Sequence, residues 1–207
     1  MDICQRITSL LPGGNPDWMQ QIETCYNEST RYYHTLDHVC CMFKQMDRVL
    51  DKLEDTEAVS WAIVFHDIIY DPEKSNNELK SAELFQTFAV ECLNHWSKDR
   101  VQKVVDWILA TQSHSVPDEH CSDLLFFLDL DLQVLGWPEA DYDMYSNQIR
   151  KEYSFVPEDV FNQKRPQILR SFLDRPRLYQ TDKFFEEYEE QARENLNREI
   201  LRLESIG

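Results

Sequence analysis

Apolar positions recur along this chain at three- and four-residue intervals, the spacing of one helix face. Over 36–53, Val39, Met42, Phe43, Met46, Val49, Leu50 and Leu53 keep that spacing behind Thr35, a residue suited to N-capping. Over 56–69, Val59, Ala62, Ile63 and Ile69 do the same until Asp71-Pro72 stops the pattern. A short helix is predicted over 17–27. The polar stretch EKSNNE at 73–78 reads as a loop whose Asn76 or Asn77 caps a helix running to about Trp96. Ser97 opens the next, with Val101, Val104, Val105, Ile108 and Leu109 on its inner side. Ser122 caps 123–135, which Gly136 and Pro138 close. Helices follow over 140–154 and 158–174, the second broken or restarted at Pro166. The last, 182–204, repeats Phe184, Phe185, Tyr188, Ala192, Leu196 and Ile200, with EEYEE at 186–190 as a solvated face. Strand-like alternation, repeats and long loops are absent, so an all-α single domain over 1–207 with about eight to nine helices is expected.

Composition narrows the function. The four glycines are Gly13, Gly14, Gly136 and Gly207, too few and too scattered for a Walker loop or a dinucleotide fingerprint. The formal charge of −17 repels phosphate backbones and excludes broad nucleic-acid binding. A small anionic substrate then needs a local reversal of sign, which a metal ion supplies. No signal-peptide pattern and no membrane-length apolar run is present, so a soluble, cytoplasmic protein without a membrane partner is expected. Cys4, Cys25, Cys40, Cys41, Cys92 and Cys121 form no CxxC and read as reduced, mostly buried thiols.

The ionisable residues break the apolar stripes in a telling way. His66 lies one turn after Ala62, His38 one turn before Met42, and Asp131 four residues after Phe127. Three helices thus point a histidine or aspartate inward. One such histidine is ordinarily a satisfied core residue, but several together are costly unless something pairs with all of them. A divalent cation does so, because neutral imidazole and carboxylate are its natural ligands. His66 and Asp67 are neighbours, which diverge by about 100° on a helix and face one ion only at a helix end. Asp71-Pro72 is expected to supply that end.

These residues resemble the H…HD…D signature of the HD-domain metal-dependent phosphohydrolases. RYYHTLDH (31–38), FHDIIYDP (65–72), NNELKSAELF (76–85), DLDLQVLG (129–136) and IRKEY (149–153) together look like one bacterial-type subfamily of predicted HD phosphohydrolases, across nearly the whole chain. The resemblance implies an HD-type helical bundle whose primary metal is held by His38, His66, Asp67 and one aspartate of DLDL. The stripe of Leu124, Phe127 and Leu135 favours Asp131. Asp129 is then a surface carboxylate, a partner to a ligand histidine, or a contact to substrate or a second metal. His114 resembles an extra histidine that contacts substrate or a second metal in some HD enzymes. His34, one turn before His38, is read as a phosphate contact or a cap on the site. His95 and His120 read as surface residues.

Cations near these blocks, Arg31, Lys80, Arg150 and Arg165, are candidates to bind phosphate, the alternative for each being an ordinary salt bridge. Glu78 is placed as a tether for the loop after Asp67. The implied activity is hydrolysis of a nucleotide or other small phosphoester by water activated at one or two ions. Mn, Fe, Co, Ni or Zn suits the ligand set, Mg less well. Asp67 or Asp71 would handle the proton. One departure stands out: some HD nucleotidases carry a glutamate where this chain has Tyr70. A non-catalytic nucleotide sensor or a helical scaffold is therefore the rival reading.

Overall fold

The computed structural model describes residues 2–116 and 121–205, so His120 lies outside the described residues. Among the described residues the chain forms ten α-helices and no strand. Contacts gather it into two compact units, Met1–Leu128 and Asp129–Gly207.

The first unit holds α1 (Ile3–Leu10), α2 (Pro16–Tyr26), α3 (Leu36–Met46), α4 (Thr56–Phe65), α5 (Asn77–Cys92), α6 (Lys98–Ala110) and most of α7 (Ser122–Leu132). Its axis is α4, in which every residue from Ala58 to Phe65 is buried. It packs against α3, α5 and α6. Trp61 and Phe65 of α4 join Trp18, Phe85 and Phe88 in one aromatic cluster. The N-terminus of α4 is fixed by carboxylates, as exposed helix donors require. Asp55 accepts from the Ala58 N–H at 3.0 Å, and buried Asp123 accepts from the Glu54 and Asp55 N–H groups at 2.8 Å each. The Arg100 guanidinium, hydrogen-bonded to Asp55, holds that carboxyl below its usual range.

Several boundaries differ from the sequence reading. Helix α3 stops at Met46 instead of 53, and the chain turns through a 3-10 segment, Leu50–Lys52, that still buries Val49. Helix α4 ends at Phe65, well before Asp71-Pro72. Helix α1, which the sequence reading does not predict, buries only Ile7. Asn76 occupies the cap position of α5 without a side-chain bond.

In the second unit the end of α7 tightens into a 3-10 turn, Gln133–Gly136, followed by α8 (Glu139–Glu152), α9 (Glu158–Leu173) and α10 (Asp182–Glu204). Helix α9 runs unbroken through Pro166. Proline cannot bond the Asn162 carbonyl, but Asn162 is half-exposed, where water can serve it. Helix α10 packs on α9 and on the 3-10 turn. Within this unit Glu199 accepts from Tyr142 Oη at 2.5 Å and from Arg165 Nε at 3.0 Å. Burial pushes the Glu199 carboxyl up, but the Arg165 charge and the hydrogen bonds from Arg165, Tyr142 and Ser146 outweigh that and leave it below its usual range. The acidic run of α10 is not uniformly solvated. Glu189 is buried and accepts from the Leu178 and Tyr179 N–H groups and from Arg193. Phe185, placed inside by periodicity, is 36% exposed beneath the Arg177 guanidinium.

The six cysteines are free and half-buried, less enclosed than expected. Burial, with Glu23 hydrogen-bonded beside it, pushes the Cys4 thiol up to about 11, so it is not a ready nucleophile. No described helix is long and apolar enough to cross a membrane.

Gly136 does not act as a left-handed cap. A Cβ there would lie 2.5 Å from Tyr188 Cβ and 2.8 Å from the Tyr188 carbonyl oxygen, so glycine permits the turn to touch α10. Neither atom can swing aside. Gly136→Ala is therefore expected to lower stability by about 1–3 kcal/mol, read from the urea midpoint; an unchanged midpoint would show that the contact is soft.

Candidate metal centre

The centre is built on the end of α4. A helix leaves its last carbonyls without intrahelical donors, and here each finds a different one. The Ala62 carbonyl accepts from the His66 N–H at 2.9 Å, and the Ile63 carbonyl accepts from His66 Nδ1 at 2.9 Å. Val64 accepts from Tyr26 Oη at 2.9 Å, and Phe65 from the Ile68 N–H at 3.3 Å. Beyond the helix, Arg31 donates to the carbonyls of Asp67 at 2.6 Å and Ile68 at 2.9 Å. Ser81 Oγ accepts from the Ile69 N–H, and Asn77 Nδ2 donates to the Asp71 carbonyl. His66 is thus the C-cap, its backbone still helical, and the carboxylate of its neighbour Asp67 reaches to 3.0 Å from its Nε2.

His38 arrives from the first turn of α3, which Thr35 caps through the Asp37 N–H. His38 Nε2 lies 3.2 Å from His66 Nε2, His66 Nε2 lies 3.0 Å from Asp67 Oδ2, and His38 Nε2 lies 4.0 Å from that oxygen. Among the described residues these three form a group able to hold a metal ion. Neighbouring ligand atoms around an ion at about 2.0–2.2 Å are themselves about 3.0–3.6 Å apart. Two of the separations fall in that range, and the third is somewhat wider.

The donor chemistry also fits. A carbonyl cannot donate, so the Ile63 contact calls for a proton on His66 Nδ1, and in the neutral ring the lone pair is then the one at Nε2, facing Asp67. A lone pair and a carboxylate oxygen 3.0 Å apart call for positive charge between them. A proton answers for that one pair. A divalent cation answers for His38 as well.

His34 joins the edge of this group. It precedes α3 instead of lying in its first turn. Its Nε2 is 4.0 Å from Asp67 Oδ2, and its ring stacks on Tyr70 at 4.1 Å between centroids. His38 and His66 are enclosed, whereas the side chains of Asp67 and His34 are 17% and 19% exposed, so the group opens on their side. Phe127 of α7 closes the back by packing edge-on against His66.

Other expected residues are placed elsewhere. Arg31 and Arg150 both bond main-chain carbonyls. The first spends its donors on backbone carbonyls and Glu28, and the second bonds the Tyr153 and Val156 carbonyls at the end of α8. Asp71 Oδ1 accepts from the Glu73 N–H in its own turn. Lys80 is exposed on α5, and the tethers of the loop are Ser81 and Asn77 rather than Glu78. His114 follows α6 in the left-handed region at φ 48°, its N–H donating to the Ala110 carbonyl.

Both aspartates of DLDL belong to the second unit. Asp129 is buried, and its carboxylate is filled by the Gln180 N–H at 2.7 Å, the Thr181 N–H at 2.8 Å and Thr181 Oγ1 at 2.6 Å. It fastens the entry to α10 and is buried instead of lying at the surface. Burial pushes its carboxyl up to about 6 against those hydrogen bonds. Asp131 is half-buried, and its charge acts on Tyr145. Nothing in the sequence announced the parts played by Tyr26, Asn77 and Ser81, which bond backbone and not ligand atoms.

Asp129→Asn would leave one of the three donors facing an amide nitrogen. A loss of about 1–3 kcal/mol is expected in chemical denaturation, and a variant as stable as the parent would contradict this anchoring role. Comparison of the chain with family models, with curated proteins and with solved structures finds no match to any of the three.

Proposed function

We propose that this protein is a metal-dependent phosphohydrolase of the HD type, acting on a nucleotide or other small phosphoester. The observation that carries this reading is the convergence of His38 Nε2, His66 Nε2 and Asp67 Oδ2 at the end of α4. His38, His66 and Asp67 would hold the cation. When bound, the cation acidifies water and offsets phosphoryl charge. His66 keeps its Nε2 lone pair directed inward through the Ile63 carbonyl. Asp67, the partly exposed carboxylate of the group, would take a proton from water at the open side. Asp71 serves its own turn, which leaves Asp67 as the stronger candidate. His34, held against Tyr70, lines the mouth where an anionic substrate would enter.

One observation favours a second reading, a nucleotide sensor without turnover. At the position where some HD nucleotidases carry a glutamate, Tyr70 stacks on His34 and offers no carboxylate.

Elemental analysis of protein purified without chelator or metal-affinity tag tests the metal, and phosphate release from a nucleotide panel tests turnover. The proposal expects about one or two equivalents of Mn, Fe, Co, Ni or Zn, lost in His66→Ala, together with turnover that EDTA abolishes. Metal without turnover across the panel would favour the sensor. A chain that takes up none of these ions would overturn both.

A further inference from the structure

We propose that Arg31 is a positioning residue of the metal centre, a strut that sets Asp67 and His34 in register with the two histidine ligands. This inference rests on the metal-binding reading above. The Arg31 side chain is fully buried, yet its one carboxylate partner, Glu28, is half-exposed. Its other bonds go to main-chain oxygens. Nη1 donates to the Asp67 carbonyl at 2.6 Å and to the His34 carbonyl at 3.2 Å, and Nη2 donates to the Ile68 carbonyl at 2.9 Å. One planar group thereby joins the turn carrying a proposed ligand to the segment carrying the histidine at the mouth.

The guanidinium also lies over two rings, 5.2 Å from the Tyr26 centroid and 5.5 Å from that of Tyr70. Each ring reaches the same structure by another route: Tyr26 bonds the Val64 carbonyl, and Tyr70 stacks on His34. A burial this complete is expensive for a cation unless its surroundings are fixed dipoles. The carbonyls beyond the C-terminal end of α4 are such dipoles, at the negative pole of the helix. A lysine keeps the charge but lacks the rigid fork that spans three carbonyls. The geometry therefore asks for arginine by shape as well as by charge.

The test is cobalt binding by the wild-type chain, Arg31→Lys and Glu28→Gln, each first checked for folding by its thermal transition in EDTA. Arg31→Lys is expected to bind Co(II) about 10–100-fold more weakly, with altered visible d–d bands, because Asp67 is no longer held in place. Glu28→Gln removes the ion pair but no carbonyl contact and should retain wild-type affinity and spectrum. A purely structural role would lower the transition temperature of Arg31→Lys and leave both cobalt readouts unchanged; that result overturns the proposal. If Arg31→Lys does not fold, the wild-type protein carries the test through the 15N resonances of the Arg31 guanidinium. They are expected to shift on addition of Zn(II), and their failure to move would count against the strut. Wild-type protein that binds neither metal would instead remove the parent reading, an outcome distinct from both.

Discussion

The end of α4 is the constraint on which the centre depends. A helix buried as completely as α4 cannot hand its terminal carbonyls to water. The chain meets the requirement with a histidine ring, a tyrosine hydroxyl, a turn N–H and, just beyond, a guanidinium. That solution has a chemical by-product. The bond from His66 Nδ1 to Ile63 selects the tautomer whose other nitrogen can serve as a metal ligand. Just past the end of α4, Asp67 Oδ2 comes within 3.0 Å of Nε2 of that ring. Structure and prospective chemistry are here one set of hydrogen bonds.

The same constraint explains what could be read from the sequence and what could not. The all-α class was legible because apolar spacing reports burial of a helix face directly, and His38 and His66 were found on that ground. The end of α4 was misplaced because its apolar run continues through Ile68 and Ile69, and hydrophobicity does not mark where carbonyls stop finding amide partners. The choice between Asp129 and Asp131 was hard for a related reason. Helix α7 is buried almost all round, so Phe126 and Leu132 are as enclosed as Leu124 and Phe127, and no stripe separates the two carboxylates. What distinguishes Asp129 is a pair of backbone N–H groups some fifty positions away, at Gln180 and Thr181, which one-dimensional pattern does not carry.

Cations were the least legible feature. In a chain of net charge −17 each arginine near a motif block invites assignment to an anionic substrate. In the structure Arg31 and Arg150 bond main-chain carbonyls, and Arg165 bonds Glu199 and Tyr145. Arginine serves such places because its fork reaches several oxygens at once, and that property is independent of any substrate.

This disposition bears on how an acidic protein would take an anion. With Arg31 committed to the backbone and Arg150 to the end of α8, the proposed centre must draw its attraction for phosphate from its own contents. His38 and His66 are neutral in the form that binds metal, and Asp67 adds a negative charge, so these three groups by themselves repel an anion. A divalent cation held by these three groups alone leaves the cluster net positive at short range. Beyond about a Debye length of 8–10 Å, screening weakens the influence of the acidic surface. Charge would then discriminate twice. The acidic surface disfavours long polyanions, which must lie across it, while a small phosphoester needs only the reversed field at the open side formed by Asp67 and His34.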